Sequence, residues 1–166
     1  KTNFRALELA EKLKDDDLIA WCLVSIGSIY FYAEDYNNAL QYFIKSKDYP
    51  ASYIKKKMLF TAFIGEAYYH LDRIDSAFYY ILQSYELASK SHFHWGVPYL
   101  YMGKLSAKRG AFAEAIRFCK TSISKDVPET DSIKAYLSMS DIYNQTHASD
   151  SGIYYAKLAF KTAQHS

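Results

Sequence analysis

Apolar and polar positions alternate along this chain with the period of an α-helix, and the alternating unit itself recurs. Leu23, Ile26, Gly27 and Tyr30 fall at i, i+3, i+4 and i+7, the spacing that lines one helix face. The stretch "AEDYN" then breaks the run, and Ala39, Phe43 and Ser46 resume it. One unit therefore predicts two amphipathic helices joined by a short turn. The unit returns at a step of 38 residues. Gly27, Gly65 and Gly103 keep that step, as do Ala39, Ala77 and Ala115, then Ile26, Ile64 and Met102, then Ser46, Ser84 and Ser122. Aromatic positions follow it too: Tyr30 is matched by Tyr68, and Tyr42 by Tyr80 and Phe118. A fourth copy comes after 37 residues, with Met139, Ser140, Tyr143 and Gly152 in the places of Met102, Gly103, Ser106 and Ala115. Ala6, in "FRALELAEKL", stands 33 residues before Ala39, so the text opens inside a second helix.

The pattern predicts helix pairs over 16–33 and 36–48, 52–71 and 74–89, 94–109 and 111–124, and 130–145 and 150–164, after a lone helix over about 3–14. Repeats occupy about 15–50, 51–90, 91–126 and 127–166, behind a partial repeat 1–14. No linker or low-complexity tract interrupts them, so a single continuous array over 1–166 is expected. The lack of an initiator methionine in "KTNFRALELAEKLKDD" reads as a segment of a longer protein. Asp72 or Asp75, Thr130 or Asp131, and Ser149 or Asp150 are expected N-caps, their side-chain oxygens accepting first-turn amides. A mid-helix glycine costs about 1 kcal/mol relative to alanine, so three in register need a reason. Gly27, Gly65 and Gly103 on the first helices are expected to meet Ala39, Ala77 and Ala115 on the second helices, where small residues let two backbones cross closely.

Composition narrows the chemistry. With 166 residues, half of them hydrophobic, and only three prolines and six glycines, the chain can build long helices around a core. Its 17 tyrosines and 10 phenylalanines supply bulky packing groups. A formal charge of +2 gives no broad field for nucleic acid or an anionic membrane. The apolar run from Leu18 to Ala33 is shorter than the roughly 20 residues that span a bilayer, and it carries Ser25, Gly27 and Ser28, so it reads as a core helix with no membrane insertion. Cys22 and Cys119 lack C-x-x-C spacing and are expected as buried free thiols. His92 and His94 stand at i, i+2 without a third ligand, which disfavours a metal site. No phosphate-binding glycine loop or nucleophile elbow is present, so no catalytic residue, cofactor or metal is expected. Asp15, Asp16 and Asp17 and the run Lys55, Lys56 and Lys57 read as solvated helix starts or connectors.

The repeat resembles the tetratricopeptide repeat (TPR), whose pattern is W-x2-L-G-x2-Y, then A-x3-F. The copies read Leu23-x2-Ile26-Gly27-x2-Tyr30 with Ala39-x3-Phe43, and Thr61-x2-Ile64-Gly65-x2-Tyr68 with Ala77-x3-Ile81. Tyr99-x2-Met102-Gly103-x2-Ser106 with Ala115-x3-Cys119 and Tyr136-x2-Met139-Ser140-x2-Tyr143 with Gly152-x3-Ala156 follow. The resemblance implies an all-α fold, a right-handed α-α superhelix of antiparallel helix pairs. The family unit has about 34 residues, so about one extra turn per repeat is expected, between a second helix and the next first helix. The resemblance also implies that ligands lie along a concave face lined by first helices. Matching positions copy by copy gives Trp21, Ser28, Phe31 and Tyr32; Phe63, Glu66, Tyr69 and His70; Tyr101, Lys104 and Lys108; and Lys134, Asp141, Asn144 and Gln145. Members that clamp terminal carboxylates repeat an asparagine where this chain has Ser28, Glu66, Lys104 and Asp141, so chaperone tails are disfavoured.

The expected function is a non-catalytic peptide- or protein-binding module. "DSAFYY" (75–80) and "SDSGIYY" (149–155) resemble arrays of bacterial histidine kinases and helix-turn-helix regulators, which makes it the sensing part of a larger regulator. The alternative is a small-ligand-binding or enzymatic helical domain. Self-association through the N-terminal end is a further expectation, resting on the apolar Phe4, Leu7 and Leu13.

Overall fold

The computed structural model describes residues 2–49, 54–90, 95–123 and 129–164. Among them all regular structure is helical: α1 (Thr2–Leu13), α2 (Asp16–Tyr32), α3 (Tyr36–Ser46), α4 (Ile54–His70), α5 (Ile74–Lys90), α6 (Gly96–Lys108), α7 (Phe112–Ser122), α8 (Glu129–Gln145) and α9 (Ser149–Ala163). The chain forms two compact units, Lys1–Leu87 and Ala88–Ser166.

Each pair, α2/α3, α4/α5, α6/α7 and α8/α9, turns back through the same joint. Glu34, Asp72, Gly110 and His147, one per repeat in register, adopt left-handed φ of 61°, 55°, 77° and 59°. The following amide reaches back across the turn in every copy: Asp35 N–H to Tyr30 O, Arg73 N–H to Tyr68 O, Ala111 N–H to Ser106 O and Ala148 N–H to Tyr143 O, each 2.9 Å. These bonds satisfy carbonyls that the ending helix would leave bare. Only the third copy places a glycine at the left-handed position.

The turns bring recurring residues face to face. Tyr30 stacks on Tyr42 at 5.5 Å, Tyr68 on Tyr80 at 5.6 Å and Tyr143 on Tyr155 at 5.5 Å. In the third copy, where the first partner is Ser106, its hydroxyl instead donates to Glu114 Oε2 at 3.2 Å. The recurring serines are fully buried because their hydroxyls donate to backbone: Ser46 to Phe43 O, Ser122 to Cys119 O, and Ser84 across to Met58 O on α4.

Unit 1 packs Ala20 and Val24 of α2, Ala39, Leu40 and Phe43 of α3, and Phe60, Ile64 and Ala67 of α4 into one core. A second cluster joins Ala10 of α1 to Ile19, Cys22 and Leu23 of α2. In unit 2, Leu100, Ala115, Cys119, Ala135, Met139 and Ile142 form the core of α6 to α8. Phe4, Leu9 and Leu13 on α1 stay exposed, while Leu7 packs on the second cluster.

Three sequence expectations change. Ala148, without a side-chain bond, is the N-cap of α9, so Ser149 and Asp150 lie inside its first turn. Thr130 and Asp131 likewise fall inside α8, and Asp72 is the left-handed turn residue; Asp75 is the second residue of α5. Side chains do cap α2 and α3: Asp15 accepts from Leu18 N–H at 3.0 Å, and Asp35 from Asn38 N–H at 3.2 Å. The extra length of the repeat is also distributed unevenly. The second helix α3 has 11 residues but α5 has 17, so in the second copy part of the extra length lies within the second helix itself. Finally, the lysine run is not uniformly solvated. Lys56 is 4% exposed and pairs with Asp17 at 2.7 Å, linking α2 to α4.

Candidate functional site

First helices carry the family-matched positions, and the two units present them separately. In unit 1 the C-terminal ends of α2 and α4 meet through aromatic rings. Phe31 lies edge-on to His70 at 5.3 Å and to Tyr32 at 6.2 Å, and His70 contacts Tyr69 at 5.6 Å. Tyr32 is 83% exposed and His70 is exposed, so the cluster has a solvent side as well as a packed one. Phe63, one layer in, stacks on Phe43 at 5.3 Å and is half-buried. Glu66 and Tyr69 are half-buried on the same helix. Ser28 turns inward, donating to Val24 O at 2.9 Å.

Trp21 stands apart from that cluster, three helical turns toward the start of α2. It meets Phe60 edge-on at 5.6 Å, and the Lys56 ammonium lies 5.8 Å from its ring. The structure thus joins Phe31, Tyr32, Tyr69 and His70 and leaves Trp21 with a different set of neighbours. Tyr36, which the sequence reading did not select, completes the joined group by stacking on His70 at 4.6 Å and meeting Phe31 at 5.2 Å. As the first residue of α3 it lies outside the first-helix positions, and no repeat signal marks it, since Ile74 and Phe112 stand there in the next copies.

In unit 2, Tyr101 is buried and carries the Lys104 ammonium over its ring at 4.7 Å. Lys108 is exposed one turn further along α6, and Asp141 is exposed on α8. Lys134 pairs with Asp131 at 3.6 Å. The Asn144 side chain lies against Gly152, in the space that a Cβ there would enter, which puts it at the α8/α9 crossing. Gln145 ends α8, exposed.

The in-register glycines lie against their second helices. A Cβ on Gly27 would stand 2.6 Å from Phe43 Cε1 and 3.2 Å from Ala39 O; on Gly65, 2.6 Å from Ile81 Cγ1; on Gly103, 2.7 Å from Cys119 Sγ and 3.0 Å from Ala115 O. Ala39, Ala77 and Ala115 are fully buried. Among the described residues no His, Cys, Asp and Glu group could hold a metal; His92 and His94 lie outside them. Both thiols are free and buried. No described helix is long and apolar enough to cross a membrane.

Comparison of the structure with solved ones finds the same architecture. BtubC (BKLC) from P. vanneervenii aligns with a TM-score of 0.76 at 12% identity, over 98% of this chain and 71% of that one. MamA aligns at 0.64 and 19% identity, over 97% and 86%, and MamA AMB-1 at 0.63 and 16%, over 99% and 92%. No protein-family model matches the sequence, and no curated protein does. The chain has a TPR-like helical-repeat fold. The all-α class of antiparallel helix pairs read from the 38-residue step is the fold these proteins share, and at these identities the likeness concerns the fold alone.

Proposed function

We propose that this chain is a non-catalytic repeat module that binds a protein or an extended peptide, and that it serves as the interaction or sensing part of a larger bacterial regulatory protein. The observation that carries the reading is the composition of the first-helix surface. It offers exposed or half-exposed aromatics at Phe31, Tyr32, Tyr69 and His70 in unit 1 and cations at Lys104 and Lys108 in unit 2, with no constellation of nucleophile, base and oxyanion donors among the described residues. Rigid rings supply contact area at low entropy cost, and lysines favour acidic residues or a terminal carboxylate. A helical-repeat fold suits such binding because neighbouring repeats extend one surface. A member of this fold gains partners through its surface residues rather than through the fold itself, which is why the regulatory setting rests on the weaker likeness of "DSAFYY" and "SDSGIYY".

The test is capture with the chain as bait, followed by titration of the partner segment against the unmodified protein and the Lys104→Glu/Lys108→Glu variant. An acidic segment should bind at least about tenfold more weakly to the variant, as expected for a lost charge-assisted contact, and raising salt should weaken the unmodified protein in the same direction. A partner whose affinity ignores both changes binds elsewhere.

A further inference from the structure

Unit 1 holds a cavity of about 750 Å³ between the end of α3, α4 and α5, lined by Lys47, Asp48, Tyr49, Lys57, Phe60, Thr61, Tyr79 and Gln83. On α4, at about 100° per residue, Lys57 and Phe60 point at least about 120° away from Glu66 and Tyr69, and Thr61 lies about two turns before Tyr69 along the helix. The cavity is therefore distinct from the surface discussed above. Its volume falls within the range of about 300–1,000 Å³ usual for small-molecule sites.

The repeat register explains why space opens here. Positions 57 and 61 match Ile19 and Leu23 one copy earlier and Trp95 and Tyr99 one copy later. Ile19 and Leu23 are buried in the cluster formed with Ala10, so large apolar side chains fill that place. In α4 the same two places carry a lysine, whose ammonium is exposed, and a threonine. The Thr61 hydroxyl is turned back on its own helix, within 2.8 Å of Lys57 O and 2.9 Å of Met58 O, and so makes no demand on the cavity. Among the described residues Lys57 has no ion pair. Lys47, the second ammonium, rests over the Tyr80 ring at 4.9 Å. Against two lysines the lining offers one carboxylate, Asp48, together with a buried apolar floor at Phe60 and the rings of Tyr49 and Tyr79. Gln83 adds an amide that can donate.

The geometry points to a binding site for a small amphipathic anion, a molecule with an apolar ring or chain and one carboxylate. The apolar part lies on Phe60 and the tyrosine rings, and the carboxylate meets Lys57 with Gln83. Such a ligand occupies the volume that Ile19 and Leu23 fill with protein in the preceding copy.

The probe is 4-phenylbutyrate, with the neutral 4-phenylbutyramide as control, titrated into the whole chain and followed by calorimetry and by backbone amide shifts. The carboxylate should bind at least about tenfold more tightly than the amide, since hydrogen bonds to charged groups are worth more than neutral ones. Shifts should centre on 57–61 and 79–83. Thr61→Leu restores the side chain of the preceding copy; it should raise the melting temperature and abolish binding. Lys57→Gln, an exposed change that leaves packing intact, should remove the preference for the carboxylate even if Thr61→Leu does not fold. Lys104→Glu/Lys108→Glu should bind the probe unchanged, so this site and the peptide surface stand or fall separately. Absence of binding at millimolar probe, equal affinity for acid and amide, or unaltered binding by the Thr61→Leu and Lys57→Gln variants would each overturn the assignment.

Discussion

Gly65 shows how one missing methyl sets a helix contact. A Cβ at this position would come 2.6 Å from Ile81 Cγ1 and 3.1 Å from the Ile81 backbone nitrogen, so α5 would have to move rather than only a side chain. Replacing Gly65 by leucine should cost about 3 kcal/mol of stability by overpacking, and adding Ile81→Ala should return part of that loss; urea unfolding of the single and double variants measures it. Cys119 makes a second, pH-dependent contribution. Burial pushes its thiol from the ordinary 9.0 up to about 12, opposed by the positive charge of Lys104. A raised value means that the folded state holds its proton where the unfolded chain releases it. The contribution is complete below pH 9 and is lost as pH climbs from 9 toward 12. By linkage the wild type should lose on the order of 1 kcal/mol more than Cys119→Ala between pH 8 and pH 10. Comparing the two proteins cancels the titration of tyrosines and lysines common to both.

The helix pair is governed as much by its turn as by its faces. Four joints share one left-handed residue and one back-reaching hydrogen bond, yet three of them use Glu34, Asp72 and His147, side chains for which that conformation costs roughly 1–2 kcal/mol. Gly110 avoids the cost, and a Cβ there would meet nothing within 4 Å. Gly110→Ala should therefore destabilise the chain by about 1 kcal/mol through backbone strain alone, while Glu34→Gly, at an exposed residue of the same conformation, should stabilise it by a similar amount. Thermal melts of the two variants moving in the same direction would contradict this account. The joint also explains the stacked tyrosines, because a fixed turn brings residues 30 and 42, 68 and 80, and 143 and 155 to the same separation each time.

Folding here relies on helix faces burying one another, so chelation should leave the melting temperature unchanged; a fall in EDTA, checked by circular dichroism, would reveal a metal the helices depend on. Among the described residues the helices, their pairing and most of their limits to within two residues were legible in the sequence, because an amphipathic period and a fixed 38-residue step are one-dimensional records of which face each helix buries. The in-register glycines and tyrosines were visible for the same reason. The caps were not: Ala148 and Asp35 differ in side chain but hold the same joint, since the back-reaching bond runs from the cap residue's own N–H to a carbonyl of the preceding helix and needs no side-chain oxygen. Nor could the sequence say that Lys56 would be buried beside Asp17 while Lys55 and Lys57 remain exposed, as neighbours on a helix point about 100° apart and only the packed partner selects one of them. The grouping of Phe31, Tyr36 and His70 and the opening beside Thr61 were likewise decided by tertiary structure. Periodicity records which residues recur, whereas a ring contact or a cavity depends on which particular side chains meet across two helices and how much of the space between them they fill.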